Sequence, residues 1–407
     1  MKEIAVIGFG VVGGGVVSLI DENASAICEA AGEELHVKYI LDLRDFPDSP
    51  YADRVVHDVE LLLNDPDVAL IVETMGGVNP ALDFSRRALA AGKHVITSNK
   101  ELVAKHGKEL MDLAAEKGVA YLYEASVGGG IPEIRSMRTS LAGDVIDAVS
   151  GILNGTTNYI LTRMRDGGIS FEEALAEAQQ LGYAEKDPSA DIHGFDVQRK
   201  IMILTAVATG FIVKEEDVYT ETMSKITVAD MDAAKRIGGA VRLIGSFRRE
   251  GEGAAISVCP RIVMNDNPLA HINDVYNGVS ATGRLTGDVL YYGRGAGRYP
   301  TAGSVIADVI AAVNGAYKCA ARRIWEYAPA GFVRDFAEST CRMYIRVDGA
   351  LREEVLESAA MLFGDITVPE GVPADKTEIL TPVLPEKVLR DGMAALPGKV
   401  ESAIRFL

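Results

Sequence analysis

Two acids and a lysine lie close together in the sequence, beside a loop that contains Pro188. Asp196 and Lys200 are four residues apart, so on a helix they share one face. With Glu185 they would form a polar pocket that holds a cationic or hydroxylic part of a substrate, while Lys200, kept protonated by Asp196, supplies a proton. A surface helix with an ordinary Asp–Lys pair is the alternative. The density of acids here and the apolar residues after Lys200 favour the pocket, because a lysine in a buried helix needs a partner.

Helical patterns precede and follow this loop. Ser170 and Glu173 predict a capping box that starts the first helix, and Gly182 is suited to its end. Asp191 is expected to cap the second helix, which runs through Leu204 and carries the acid–lysine pair.

A glycine turn follows the first predicted strand, Lys2 to Ile7. Gly8 allows a tight turn, Gly10 lets the backbone approach a pyrophosphate, and Gly13 lets helix and strand pack closely. Amides at the start of the next helix would bind the phosphates. The predicted dinucleotide-binding residues are Gly8, Phe9, Gly10, Val11, Val12 and Gly13.

The second predicted strand ends at Asp42 and Arg44. An acid at this place bonds the ribose hydroxyls of NAD, whereas an arginine accepts the extra phosphate of NADP. Both coenzymes therefore stay open, and Arg44 is assigned to the coenzyme.

The alternation of strands and helices in residues 1–132 predicts a doubly wound parallel sheet of the Rossmann type. Ser98 and Lys100 follow the strand 94–97, at the sheet edge where ligands bind. The helix dipole disfavours a cation at Lys100, which is easier to understand if Lys100 meets a ligand. A solvated lysine is the alternative.

Three further loops could contact ligands. Residues 124–132 contain three glycines and expose carbonyl groups that can face a cofactor or a hard cation. The Asn-Gly-Thr-Thr-Asn-Tyr run at 154–159 suits a carboxylate or is a simple helix cap. The glycine-rich loop around Gly297 can bring backbone close to a cofactor.

Composition excludes some partners and locations. The net charge of −17 argues against nucleic acids and anionic membranes. The chain begins with a predicted strand, so we expect no signal peptide. The longest apolar run, Ile201 to Val213, is shorter than the ~20 residues of a membrane span. Scattered cysteines are typical of reduced thiols in a cytoplasmic protein; they are Cys28, Cys259, Cys319 and Cys341.

The stretch from Ala176 to Lys200 resembles the signature of homoserine dehydrogenases. The matching positions are Gly182-Tyr183-Ala184, Asp187-Pro188, Asp191-Ile192, Gly194, Asp196 and Lys200. The resemblance implies that Glu185 binds the amino end of an amino-acid substrate, that Asp196 lies at its reacting end, and that Lys200 is the proton donor.

The resemblance extends to other motifs. It implies that Ser98-Asn99-Lys100 lines the site beside the nicotinamide, with Lys100 a second catalytic cation. Asp191 and Thr156 are assigned to the substrate, and Gly182 and Gly297 to the coenzyme. Main-chain oxygens would hold a monovalent cation, sodium, at Glu124, Val127, Gly129 and Ile131.

Three domains are expected. Residues 1–132 form the nucleotide-binding domain, to which the resemblance implies that 300–320 return. Residues 133–330 form an α+β substrate and dimerisation domain, with a mostly antiparallel sheet covered by the Lys200 helix. Residues 338–407 resemble a ferredoxin-like ACT domain, but Asp348-Gly349-Ala350-Leu351 stands where ACT domains carry Asp-x-Pro-Gly. Two roles of this C-terminal domain stay equally open: an effector-binding site, and a structural or dimerising cap.

The expected activity is interconversion of L-aspartate 4-semialdehyde and L-homoserine with NAD or NADP, in threonine and methionine biosynthesis, by a homodimer or homotetramer. A reductase of another semialdehyde and a non-catalytic amino-acid sensor are the rival hypotheses.

Overall fold

The computed structural model describes residues 1–318 and 325–407; Cys319 lies outside them. The other three cysteines are free thiols, and Cys259 is buried. The chain divides into two units. Unit 1 comprises Met1–Asp147, Met202–Val213 and Ala281–Ala328, and unit 2 comprises Ala148–Ile201, Lys214–Ser280 and Pro329–Leu407. The three domain ranges drawn from the sequence stay a prediction.

The N-terminal elements alternate between strands and helices. They are β1 (Lys2–Ile7), α1 (Val11–Glu22), α2 (Ala24–Ala31), β2 (Leu35–Leu41), β3 (Val55–Val56), α3 (Val59–Leu63), β4 (Val68–Glu73), α4 (Ala81–Ala90), β5 (His94–Thr97), α5 (Lys100–Lys117), β6 (Tyr121–Leu122) and α6 (Glu133–Thr139).

These strands form a parallel sheet in the order β3-β2-β1-β4-β5-β6, which confirms the predicted Rossmann-type topology. The strands are apolar because the sheet is buried on both faces, and their side chains share a core with Val16 of α1 and Val305. The order of the strands reverses between β1 and β4, and ligands bind at that point, beyond the carboxyl ends. After β6 the chain forms a 3₁₀ turn, Glu124–Ser126.

The middle of the chain supplies most of unit 2. Its elements are β7 (Ile146–Ile152), α7 (Gly155–Gly167), α8 (Phe171–Gln180), α9 (Ser189–Ile192), α10 (Phe195–Thr209), β8 (Phe211–Ile212), β9 (Tyr219–Thr220), α11 (Val228–Arg236), β10 (Gly239–Glu250), β11 (Gly253–Met264) and β12 (Tyr276–Gly283).

The C-terminal elements complete both units. They are β13 (Gly287–Arg294), α12 (Arg298–Val313), β14 (Glu326–Tyr327), β15 (Thr340–Cys341), β16 (Met343–Asp348), α13 (Arg352–Phe363), β17 (Lys376–Leu380), β18 (Leu384–Pro385), α14 (Glu386–Ala395) and β19 (Val400–Phe406).

Unit 2 is built on one sheet, in which β12, β7, β10, β11, β19, β16 and β17 follow each other. Most of its strand pairs are antiparallel, as predicted: β10 pairs with β7 and β11, and β16 pairs with β17 and β19. β11 also pairs in parallel with β19 and β9, so the sheet is mixed. β10 was not predicted from the sequence. It lies beneath α10, as expected for the sheet under the Lys200 helix: a Cβ at Gly245 would lie 2.8 Å from Val197.

Within residues 1–318 and 325–407, no single helix is long and apolar enough to cross a membrane. The helix pair Val11–Glu22 and Ala24–Ala31, bent by 87°, has the length and composition of a broken span, and those are the only properties that suggest one.

Candidate active site

Lys200 is buried in unit 2 and held by two acceptors. Its Nζ donates to the main-chain oxygen of Leu153 at 2.7 Å and lies 2.8 Å from Asp196 Oδ2. The side chain is 9% exposed, and that of Asp196 is 6% exposed. A charged ammonium at such a depth is stable only with partners of this kind. The shared face and the pairing predicted from the four-residue spacing are confirmed.

Asn154 organises the two acids around this lysine. Its Nδ2 donates to Asp191 Oδ1 at 2.7 Å and to Asp196 Oδ2 at 2.9 Å. Its Oδ1 accepts the N–H of Thr157 at 2.9 Å and so caps α7. The sequence indicated the run at 154–159 as a site for a carboxylate or as a helix cap. The hydrogen bonds of Asn154 to both carboxylates were not predicted. The helix-cap position was the available signal, because an Asn whose Oδ1 caps a helix directs its NH₂ group away from that helix.

The predicted role of Asp191 as the cap of the long helix was wrong. Asp191 lies inside the short helix α9, and Gly194, at φ +81°, separates α9 from α10. The left-handed backbone at Gly194 turns the chain, so α10 begins only at Phe195. The carboxylate of Asp191 accepts from the Asn154 side chain.

The loop after α8 contains Glu185, and Thr156 on α7 contacts that loop. The capping box of Ser170 with Glu173 is present, and α8 ends just before Gly182, at φ +74°. Thr156 donates its hydroxyl hydrogen to the main-chain oxygen of Tyr183 at 2.5 Å, which joins α7 to this loop. Glu185 is exposed, and its carboxylate has no hydrogen bond or ion pair within the described parts of the chain. The structure therefore gathers Asp191, Asp196 and Lys200, but not Glu185.

The glycine turn of unit 1 has the geometry of a dinucleotide cradle. Gly8 has φ +91°, and a Cβ on Gly13 would lie 1.9 Å from the oxygen of Gly8. Gly10 has open space at its Cβ position and precedes the first turn of α1. The residues present therefore fit a nucleotide pyrophosphate, as the spacing of the glycines predicted.

Asp42 and Arg44 lie beside a cavity of about 500 Å³ in the same unit, which Gly8, His57 and Pro80 also line. Asp42 Oδ2 accepts the N–H of Phe9 at 2.8 Å and Arg44 Nη2 at 3.0 Å. Its Oδ1 accepts Arg44 N and Nε, each at 3.0 Å. These bonds from Arg44 hold the pKa of the Asp42 carboxyl well below its usual range. In the sequence, Asp42 and Arg44 stood as alternative contacts of the coenzyme, one for NAD and one for NADP. In the structure the two side chains form an ion pair with each other.

Ser98 and Lys100 stand where the sequence placed them, just beyond the carboxyl end of β5. Lys100 is the first residue of α5, and Asn99 caps that helix by accepting the N–H of Leu102. The N–H of Ser98 donates to the main-chain oxygen of Glu73 at 3.3 Å. Gly297, at φ +118°, is the cap of α12. Pro300 lies in the first turn of that helix, where proline is tolerated.

The predicted cation loop is buried and tightly packed. A Cβ on Gly128 would lie 2.1 Å from a carboxylate oxygen of Glu133, and one on Gly129, at φ +57°, would lie 2.4 Å from the oxygen of Gly295. The oxygen of Ile131 accepts the N–H of Glu133 and keeps a second lone pair. Buried carbonyls beside a buried carboxylate suit a hard monovalent cation. No cluster of three or more His, Cys, Asp or Glu side chains with metal-binding geometry occurs in the described ranges.

Comparison with known proteins gives consistent results. Residues 132–310 match the family model described as homoserine dehydrogenase, and residues 8–124 match the model of the homoserine dehydrogenase NAD binding domain. The chain is 42% identical over 314 residues to the homoserine dehydrogenase of Synechocystis sp., covering 76% of this chain and 72% of that protein. The chain belongs to the homoserine dehydrogenase family.

Another relative and two solved structures agree. The Neisseria gonorrhoeae homoserine dehydrogenase is 34% identical over 412 residues, 97% of this chain and 94% of that one. The crystal structure of the homoserine dehydrogenase from Thiobacillus denitrificans superposes with a TM-score of 0.89 at 34% identity, covering 100% of this chain and 98% of that one. A hyperthermophilic archaeal homoserine dehydrogenase in complex with NADPH has a TM-score of 0.66 at 29% identity, with 77% and 98% covered.

The protein is thus a nicotinamide-dependent oxidoreductase that acts on the CH–OH group of a small-molecule substrate. The family, the fold class and this chemistry are confirmed as the sequence predicted them. The roles of individual residues stay predictions.

Proposed function

We propose that Lys200 is the proton donor in the homoserine dehydrogenase reaction of this chain, the interconversion of L-aspartate 4-semialdehyde and L-homoserine. The observation that carries the proposal is the geometry of the ammonium. Leu153 and Asp196 take two of its three N–H bonds. The third stays available to a substrate oxygen, as far as residues 1–318 and 325–407 show.

The chemistry follows from charge. The nicotinamide coenzyme, when bound, supplies the hydride that reduces the aldehyde carbon. Negative charge then grows on the aldehyde oxygen, and the Lys200 ammonium stabilises and protonates it. Asp196 pairs with the buried Lys200 ammonium, and Asn154 donates a hydrogen bond to Asp196 that keeps its carboxylate in place. Lys100 supplies a second positive charge in the proposal.

The substrate's amino-acid end is assigned to Glu185, whose exposed carboxylate would pair with the ammonium group. Asp191 and Thr156 are also proposed to contact the substrate. A Glu185→Gln variant should raise the KM for homoserine and leave the Kd of the coenzyme unchanged. An unchanged KM would remove Glu185 from the site.

For the coenzyme we infer a preference for NADP(H). Asp42 already accepts three bonds from Arg44 and one from Phe9. Ribose hydroxyls of NAD would have to compete for these oxygens, whereas a 2′-phosphate offers Arg44 a new bidentate partner.

A bound sodium ion is part of the proposal, with Glu124, Val127, Gly129 and Ile131 as its main-chain ligands. Its support is the close packing of the loop around Gly128 and Gly129. The melting temperature should rise when sodium chloride is added and should stay unchanged when potassium chloride is added at the same ionic strength. Equal effects of the two salts would count against a specific site.

The homodimer or homotetramer and the cytoplasmic location stay predictions. Size-exclusion chromatography with light scattering would measure the molar mass and so the number of subunits.

The decisive assay is steady-state oxidation of L-homoserine with NAD and NADP in parallel, followed by the absorbance of the reduced coenzyme. Turnover of another hydroxy acid or alcohol in preference to homoserine would favour a different semialdehyde reductase. No turnover with either coenzyme, combined with tight homoserine binding, would favour a non-catalytic sensor.

A further inference from the structure

Glu73, the last residue of β4, is a fully buried acid that the chemistry above does not use. It is 0% exposed. Its Oε1 accepts the N–H of Met75 at 2.6 Å, and its Oε2 accepts the hydroxyl hydrogen of Thr97, the last residue of β5, at 2.5 Å. One carboxylate therefore joins the ends of two neighbouring strands of the parallel sheet.

The bonds continue into both following loops. The Thr97 oxygen accepts the N–H of Asn99 at 3.0 Å. The Asn99 side chain donates to the oxygen of Gly77 at 2.6 Å and caps α5 through its own oxygen. The loop after β4 is thus tied to the turn that carries Ser98 and Lys100.

The position of this network relates it to the coenzyme. The phosphate cradle follows β1, and Asp42 with Arg44 marks the adenosine side at the end of β2. In a sheet of this order a bound dinucleotide would cross the switch point between β1 and β4, and its nicotinamide half would lie over the ends of β4 and β5. The loops joined by Glu73 occupy that end of the sheet.

We propose that Glu73 is a positioning residue for the coenzyme, which holds the loops after β4 and β5 in the arrangement that receives the nicotinamide half. It acts through Met75, Thr97 and Asn99 and does not itself take part in hydride or proton transfer.

Ionisation of Glu73 changes the strength of this network. Burial raises the pKa of its carboxyl to about 7, against hydrogen bonds from Thr97, Met75 and Asn99 that lower it. The nearby titratable group is Tyr121 on β6, whose pKa is raised by burial first and by the charge of Glu73 second. Above about pH 7 the carboxylate accepts both bonds with full charge, and below that pH the added proton weakens one of them.

The test measures the Kd of NADP⁺ and NAD⁺ by calorimetry without substrate, so that it does not depend on the assignment of Lys200. Glu73→Gln replaces one acceptor oxygen with an NH₂ donor, and Thr97→Val removes the bridging hydroxyl. Each should weaken the Kd about tenfold, the effect expected when a hydrogen bond to a charged group is lost. Thr97→Ser, which keeps the hydroxyl, should restore binding, and Glu109→Gln on the exposed face of α5 is the matched control.

A structural role alone would lower the melting temperature but would leave no pH signature in binding. We expect the wild-type Kd to rise as the pH falls from about 8 to about 6, and we expect Glu73→Gln to lose that dependence. A flat wild-type profile would overturn the proposal without any variant. So would a Kd within about twofold of wild type in both Glu73→Gln and Thr97→Val.

Discussion

Replacing Lys200 with methionine tests the centre of the proposed mechanism. Methionine fills a similar volume but removes the ammonium that bonds Leu153 and Asp196. Breaking a buried ion pair costs about 3–5 kcal/mol because one charge is left without its partner. Asp196 keeps its hydrogen bond from Asn154, so we expect a loss of about 3 kcal/mol in the free energy of unfolding, near the lower end of that range.

The kinetic effect should be larger than the effect on folding. Loss of a positioned proton donor typically lowers kcat by about 10²–10⁴-fold. Stopped-flow and steady-state assays of homoserine oxidation measure this, and calorimetry should give a coenzyme Kd within about twofold of wild type. Adding Asp196→Asn to the variant removes the stranded carboxylate. The double variant should regain about 2 kcal/mol of stability but no turnover.

The control is the same substitution in a different lysine–aspartate pair of the same unit. Lys387 and Asp391 are also four residues apart on a helix, 2.7 Å apart, with 70% and 67% of their side chains exposed. Lys387→Met should leave both stability and kcat essentially unchanged, since exposed pairs contribute little. A folded Lys200→Met protein with a kcat within about threefold of wild type would refute the assignment of the proton donor.

Three other changes follow from the geometry of unit 1. Arg44→Ala should raise the KM for NADP by about tenfold while the KM for NAD changes little, because the 2′-phosphate loses its bidentate partner; equal changes would contradict the coenzyme preference. Gly13→Ala should weaken coenzyme binding by about tenfold or more and lower the melting temperature, since its Cβ would lie 1.9 Å from the Gly8 oxygen. Gly10→Ala, with open space around its Cβ, should weaken binding without destabilising the fold. For Glu73 the folded pKa of about 7 exceeds the ordinary value of 4.5, so burial of the neutral form stabilises the fold fully below about pH 4.5 and that contribution is lost as the pH rises to about 7. The free energy of unfolding of the wild type relative to Glu73→Gln should therefore fall by about 3 kcal/mol across that window in urea titrations, and a constant difference would contradict the raised pKa.

Local patterns predicted much of the molecule because the forces behind them act over a few residues. A strand followed by glycines and a helix predicted the cradle at Gly8 to Gly13. The tight turn predicted at Gly8 agrees with its φ of +91°. Helical periodicity placed Asp196 and Lys200 on one face. The capping box at Ser170 needed only four consecutive residues.

Elements that depend on packing were less predictable. β10 contains Arg242 and Gly245, which weaken its strand pattern, yet both are buried between neighbouring elements. α12 packs closely on α1, where a Cβ on Gly15 would lie 2.8 Å from the main-chain oxygen of Arg298. The cap assigned to Asp191 failed because Asp191 lies inside α9 and Gly194, in the left-handed region, separates α9 from α10.

Residue types and spacing by themselves determined which side chains could bind a dinucleotide and which could donate a proton, since those properties reside in single residues and short turns. Only the tertiary structure decided that Asn154 joins Asp191 to Asp196, that Asp42 accepts the N–H of Phe9, and that Glu73 joins two strand ends. Each of these contacts links segments that are close in space through the packing of other elements, and hydrogen bonds between such segments leave no periodic trace in the sequence.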